Sequence, residues 1–217
     1  MVSPTPAKVT PFYTFDAIDG VVAGPVMSAL EAGDEATWSR VLADYPDLDA
    51  RLREEGADPP APRAGIDWDD GTLFFVSTIA RDTDGSPAEP LDRGHSRERL
   101  GRFPHGDGNP MAYLCHHLVV KEEDSPLGDL LDLLTNRLTE AHRGHTRLQI
   151  ALGGMDLRGW LSDAEVSELR AALQKHSWGP ASDEPIDGGV RDITRHLLVL
   201  LKSAEKRGHG LLFRSHA

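Results

Sequence analysis

Thirteen residues near the middle of the chain, HGDGNPMAYLCHH (105–117), contain five side chains that can bind a transition metal. Imidazole, thiolate and carboxylate groups are the usual ligands of zinc and similar ions, so these residue types suit a metal site or a metal-dependent hydrolase. Adjacent histidines point in different directions on a helix or a strand, so His116 and His117 would not both serve one ion. A metal site would therefore use His105, Asp107 and either His116 or His117.

The same stretch also fits a turn followed by an ordinary core segment. GDGNP has the composition of a turn, and MAYLCHHLVV (111–120) is compatible with a helix or a strand. Cys115 and His117 would share a face only in a strand, and an isolated cysteine is usually a small buried apolar residue. Metal-binding spacings such as HExxH or paired CxxC are absent from the sequence. The pattern favours the turn and core segment over the metal site.

Other groups of polar residues fit no catalytic template. His142 and His145 lie in AHRGH, where Gly144 is expected to end a helix and leave His142 in its last turn. The acidic clusters at 67–70 and 122–124 lack the spacing of a calcium-binding loop. The sequence contains no GxSxG elbow, phosphate-binding P-loop or GxGxxG motif. We therefore expect a protein that is not an enzyme and that needs no cofactor.

The charge balance points to a particular kind of partner. The 217 residues include 23 Lys and Arg against 35 Asp and Glu, which gives a net charge of −12. Such a surface repels nucleic acid unless a local basic patch exists, and the densest basic stretch, 93–102, is expected to be a solvated loop. A basic protein is the partner that this charge favours.

Cysteine content and hydropathy indicate the compartment. A single cysteine cannot form an intrachain disulfide, and the first 15 residues lack the pattern of a signal peptide. The longest apolar run, HLLVLLKSA, is interrupted by Lys202 and is too short to cross a membrane. We expect a cytoplasmic protein with no membrane contact.

The order of the elements predicts one helix-rich α+β domain with a small sheet and an N-terminal helical unit. We expect a flexible tail at 1–11 and a single domain at 12–217, in which 21–56 is helical, 57–71 is a Pro- and Asp-rich connector and 81–110 is a long loop. Strands are predicted at 72–80, 146–152 and 210–215. Within the helical unit, Pro25 is expected in the first turn of a helix that ends at Gly33, and Asp34 is expected to cap the next helix. Further helices are predicted at 125–144, after the SDAE capping box at 162–165, and at 190–208.

Four segments together resemble an uncharacterised family of cytosolic α+β proteins from actinobacteria and related bacteria. They are ALEAGDEATWSRVLA (29–43), AYLCHHL (112–118), GWLSDAEVSELRAAL (159–173) and LLKSAEKRGHGLLFRSH (200–216). The resemblance implies that the middle segment is a helix. The resemblance implies no catalytic residues. Proteins of this size and type often act as immunity or other interaction proteins.

Three functional hypotheses follow. The first is a non-enzymatic, possibly immunity-like protein that binds a more basic protein through Asp67, Trp68, Asp69 and Asp70. The alternative is a metal-dependent hydrolase or metal-binding enzyme that uses His105, Asp107 and His117 or His116. A third is a small-molecule sensor in which the 81–110 segment covers a pocket. The sequence leaves the oligomeric state open.

Overall fold

The computed structural model describes residues 12–86, 88–143 and 156–216. Within these ranges the helices are α1 (Gly20–Ala32), α2 (Glu35–Asp44), α3 (Pro46–Glu54), α4 (Asp70–Thr78), α5 (His95–Leu100), α6 (Pro110–His117), α7 (Leu127–Asn136), α8 (Asp163–Gln174) and α9 (Gly189–Arg207). The strands are β1 (Phe12–Ile18), β2 (Leu118–Val120), β3 (Asp156–Leu161), β4 (Trp178–Pro180) and β5 (Gly210–His216). The predicted helix-rich α+β class is confirmed. The predicted tail at 1–11 and strand at 146–152 lie outside the described residues.

An antiparallel sheet of order β1-β5-β3 lies between two layers of helices, and β2 pairs with β4 in a separate ribbon. Successive residues of β5 point to opposite faces of the sheet. Leu212 packs with residues of α1 to α4 on one face, and Leu211 and Phe213 pack with residues of α5 to α9 on the other. The central strand β5 is therefore buried along its whole length.

The predicted helical unit at 21–56 is confirmed and consists of α1, α2 and α3. Asp34 caps α2 by accepting a hydrogen bond from the backbone N–H of Thr37, and Gly33 ends α1 with a left-handed backbone, as the sequence indicated. The first helix begins earlier than Pro25 suggested. Asp19 caps it, so Pro25 lies inside the helix.

The predicted strand at 72–80 is wrong, because residues 70–78 form α4. Its aromatic and β-branched residues are typical of a strand, but Asp69 accepts hydrogen bonds from the backbone N–H and the hydroxyl of Thr72 and caps a helix. Leu73 and Phe74 are buried between α1 and the sheet. Tertiary burial thus overrides the local strand preference.

The helix predicted at 125–144 ends early, at Asn136. The backbone N–H of Leu138 donates to the carbonyl of Arg158, so the chain turns away to meet β3. His142 therefore lies in a short 3-10 turn, not in the last turn of α7, and its Nδ1 is 2.8 Å from the hydroxyl of Thr139. His145 lies outside the described residues.

Of the remaining secondary-structure predictions, some are confirmed and others are confirmed only in part. The capping box is present, since Ser162 and Glu165 each bond the other's backbone N–H, and the predicted last strand is β5. Residues 110–117 are helical as the resemblance implied, but 118–120 form β2. The predicted loop at 81–110 contains α5. Among the described helices, none is both long and apolar enough to span a membrane.

Candidate ligand-binding site

The loop before α6 places His105 beside His117. The predicted GDGNP turn is present: Asn109 caps α6 and Pro110 occupies its first position. The ring centroids of His105 and His117 are 6.3 Å apart, and the ring of Tyr113 lies 5.2 Å from the first and 4.6 Å from the second. His105 is exposed, whereas His117 is buried and its Nδ1 has no hydrogen-bond partner among the described residues.

Asp107 is engaged in another direction. Its carboxylate accepts a hydrogen bond from the Tyr13 hydroxyl at 3.1 Å and one from the backbone N–H of Asn109 at 3.0 Å. Burial, together with the charge of Asp107, raises the pKa of Tyr13 to about 12. Within residues 12–86, 88–143 and 156–216, no group of three or more His, Cys, Asp or Glu side chains is arranged to hold a metal ion. A site on His105, Asp107 and His117 would require Asp107 to leave Tyr13.

Cys115 is exposed on the surface of α6, so the expectation that it belongs to the core is wrong. Its position follows from the helix, because Tyr113, Leu114 and His117 take the buried positions. Partial desolvation beside α7 raises the pKa of its thiol. A raised pKa disfavours the reactive thiolate, so Cys115 is poorly suited to nucleophilic catalysis.

The acidic cluster at 67–70 is mainly used within the fold. Asp69 caps α4, and Asp70 forms an ion pair with Arg63 at 2.7 Å. Trp68 is half-buried against the core, and its carbonyl accepts a hydrogen bond from Arg63. Asp67 is exposed and has no ion pair or hydrogen bond to any part of the chain that the structure describes. Of the four predicted contact residues, Asp67 is the one whose side chain is fully available to a partner.

A cavity of about 440 Å³ lies at the outer edge of β1 and is referred to below as the β1 cavity. Its volume falls within the range of about 300 to 1,000 Å³ that is usual for small-molecule sites. Residues 14–17 of β1, the end of α4, the segment 88–97 and Leu200 of α9 surround it. Apolar side chains supply much of the lining, among them Phe15, Phe75, Ile79, Leu91 and Leu200.

The backbone of Phe15 faces this cavity. The Tyr13 N–H donates outward to the carbonyl of Gly101, and the Ala17 carbonyl accepts outward from the N–H of Ala80. Because the direction of these groups repeats every second residue, the N–H and C=O of Phe15 also point away from β5. Neither group has a partner among the described residues. The cavity therefore offers one backbone hydrogen-bond donor and one acceptor, between the hydrogen bond of Tyr13 to Gly101 and that of Ala80 to Ala17.

A largely buried ion pair forms one polar part of the cavity wall, which is also lined by charged residues nearer the surface, namely Glu55, Arg81, Glu89, Asp92 and Arg97. The Nε and Nη2 atoms of Arg214 donate to the two carboxylate oxygens of Asp16, at 3.0 and 3.1 Å. The Thr14 hydroxyl donates to the same carboxylate at 3.2 Å, and the guanidinium lies 4.7 Å from the ring centre of Phe75. These contacts fix the guanidinium, and no hydrogen bond of its Nη1 is found within the described residues. That nitrogen is a charged donor available at the cavity wall, which Arg81 and Arg97 also line.

Hydrogen bonds join the outer wall of the cavity to α9. Arg207 donates to the carbonyl of Glu89 at 2.7 Å, the Ser203 hydroxyl donates to the carbonyl of Leu91, and the Ser96 hydroxyl donates to the carbonyl of His196 at 3.3 Å. Asp92 accepts bonds from the backbone N–H groups of Gly94 and Ser96 and so shapes the turn before α5. Part of the predicted 81–110 loop is thereby held as the wall of a preformed cavity.

Sequence patterns did not reveal the residues of this site. Asp16 and Arg214 are 198 positions apart, and Arg214 lies within an apolar strand where a charged residue stands out. That charge inside LLFRSH was the one local signal, because a buried arginine requires a partner. Comparisons of the chain with models of protein families, with curated proteins and with solved structures find no match.

Proposed function

We propose that the protein is a non-enzymatic binding protein that holds a small, mainly apolar molecule in the β1 cavity. The observation that carries this proposal is the preformed cavity at the edge of β1, walled by residues 88–97. It supports the third of the sequence hypotheses, in which the long segment covers a pocket.

The groups around the cavity specify the ligand chemistry. An apolar body would lie against Phe15, Phe75 and Leu200, which removes apolar surface from water. A ligand with a carbonyl and an amide N–H on the same edge matches the outward N–H and C=O of Phe15, as the two peptide groups that flank one residue do in an antiparallel pair. A carboxylate or carbonyl oxygen matches Nη1 of Arg214. The ligand class is thus an apolar amide or acid.

Anilinonaphthalene sulfonate is a suitable probe, because it combines apolar rings, an amine and an acidic group. We expect its fluorescence to rise on binding to the native protein, and the variant Ala88→Phe to abolish the rise by filling the cavity, which Ala88 lines. Ala171→Phe, on the exposed face of α8, is the matched control and should bind as the unchanged protein does. Equal binding by both variants, or no binding by the unchanged protein, would contradict the proposal.

A second candidate is the acidic surface of the sequence hypothesis, supported by the net charge of −12 and by the exposed Asp67 next to Trp68. A lysine-rich peptide is its probe, and Asp67→Asn should weaken binding without disturbing the cap at Asp69. Glu123→Gln removes one charge from an exposed loop position and is the control. If both variants bind the peptide equally, this second candidate is refuted.

A further inference from the structure

A second pocket, of about 650 Å³, lies between the β2–β4 ribbon and one face of α9, and is referred to below as the basic pocket. It shares no lining residue with the β1 cavity. Arg191, Thr194, Arg195 and Leu198 line it from α9, at the i, i+3, i+4 and i+7 spacing that places side chains on one helical face. The ribbon contributes Lys121, which directly follows β2, and Trp178, which begins β4.

The charge of this pocket is opposite to that of the whole chain. Lys121, Arg191 and Arg195 line it, and no carboxylate among the described residues does. Arg195 forms an ion pair with Asp192, whereas Lys121 and Arg191 have no ion pair with any described residue. Positive charge concentrated in a concave site of an acidic protein attracts a small anion, while the surrounding negative surface repels a long polyanion.

The pocket also has an aromatic wall in a fixed orientation. The Trp178 indole N–H donates to the carbonyl of Leu173 at 2.8 Å, and the half-buried ring lies 6.2 Å from the imidazole of His176. A fixed tryptophan beside cationic groups suits a planar ring that carries negative charge elsewhere in the molecule.

One polar group in the wall of the basic pocket has no partner. Thr194 lines the pocket and is 2% exposed, and its hydroxyl oxygen has no hydrogen-bond partner within the described residues. Buried hydroxyls are normally satisfied, so this one points to an additional group that a small rearrangement would bring into contact.

His176 occupies a position where glycine is the usual residue. It follows the end of α8 with a φ of 55°, in the left-handed region that glycine adopts without strain. Its imidazole lines the basic pocket, where it adds a further donor to the cationic set. Substitution by glycine would relieve the backbone and remove this donor.

From these features we propose that the basic pocket binds a phosphorylated compound with a planar ring, of the size of a mononucleotide. Lys121 and Arg191 bind the phosphate groups, Arg195 and His176 add donors, and Trp178 contacts the ring. Phosphate is favoured over a single carboxylate because several separate cations line one pocket and a phosphate carries about two charges. This proposal is independent of the β1 cavity and of its ligand.

The test is titration calorimetry with ADP and with inorganic pyrophosphate as probes. We expect ADP to bind more tightly than pyrophosphate by about threefold or more, because of the ring contact. The double variant Lys121→Glu, Arg191→Glu should weaken ADP binding by about tenfold or more, which is about 1.4 kcal/mol. Arg40→Glu, an exposed charge reversal on α2, is the control for a change of surface charge away from the pocket and should leave the affinity unchanged.

His176→Gly separates loss of the site from loss of the fold. Glycine adopts the left-handed backbone at this position without strain, so the substitution should raise the free energy of unfolding, while the loss of the imidazole should weaken ADP binding. The proposal is overturned if ADP does not bind, if pyrophosphate binds as tightly as ADP, or if the double variant and Arg40→Glu have the same effect.

Discussion

Replacement of Arg214 by methionine tests the buried ion pair beside the β1 cavity. Its side chain is 10% exposed, and the guanidinium holds the carboxylate of Asp16 through two hydrogen bonds. Arg214→Met keeps an apolar stem near Phe75 but leaves that carboxylate without its charged partner. Breaking a buried pair costs about 3 to 5 kcal/mol, but the carboxylate is 21% exposed and keeps the hydrogen bond from Thr14. We expect a loss of about 2 to 3 kcal/mol in the free energy of unfolding.

Urea denaturation measures this loss, and a double-mutant cycle assigns it to the pair. Asp16→Asn in the Arg214→Met background removes the unpaired charge and should recover about 1 to 2 kcal/mol. Arg53→Met breaks two exposed pairs, with Asp49 and Asp58. The side chains of Arg53, Asp49 and Asp58 are 45%, 34% and 66% exposed, so the loss should be less than about 1 kcal/mol. A cost for Arg214→Met no larger than that for Arg53→Met, or no recovery in the double variant, would refute the reasoning.

Three further predictions concern stability. Folding raises the pKa of Tyr13 from 10.0 to about 12, so its protonated form contributes stability that is complete below pH 10 and is lost as the pH rises through 12. Tyr13→Phe should lack this loss when the free energy of unfolding is measured in urea at alkaline pH. Parallel pH curves for the two proteins would contradict the prediction. A Cβ at Gly159 would lie 2.6 Å from the carbonyl oxygen of Leu134, so Gly159→Ala should lower the free energy of unfolding by about 2 to 3 kcal/mol. A Cβ at Gly24 meets open space, so Gly24→Ala, within α1, should raise it by about 0.5 to 1 kcal/mol. Equal effects of the two variants in denaturant unfolding would contradict the steric argument. Ser162→Ala should cost about 1 kcal/mol in thermal or urea unfolding, and no change would show that the capping box does not stabilise α8.

Sequence reasoning worked where the determining contacts are local. Asp34, Gly33 and the Ser162–Glu165 pair act within a few residues of their own positions, and the structure contains these caps as predicted. The strand β5 was also predictable, because an apolar run following a glycine-ended helix has few other structures available.

Prediction failed where distant parts of the chain decide the structure. The segment 72–80 has the composition of a strand, but α1 and the sheet bury it as a helix. The helix α7 ends because Leu138 bonds to Arg158, twenty positions later. Spacing within the sequence contains no information about either contact.

The candidate sites also depend on contacts between distant parts of the chain, which the sequence alone does not reveal. The stretch 105–117 suggested a metal site because its possible ligands are neighbours in sequence. In the structure, however, Asp107 accepts a hydrogen bond from Tyr13, and Cys115 lies at the surface. The basic pocket combines Lys121 with Arg191, which are separated by 70 positions, so no basic motif was visible. Its charge is evident only once α9 and the ribbon lie together.

The most direct test of the proposed function is an amide NMR titration of the ¹⁵N-labelled protein with anilinonaphthalene sulfonate. If the β1 cavity is the binding site, the amide signals of Phe15 and of residues 88–97 shift with increasing probe, and Ala88→Phe removes these shifts. If Phe15 and residues 88–97 do not respond, or if the shifts are confined to residues 105–117, the account of the cavity as the functional site is contradicted.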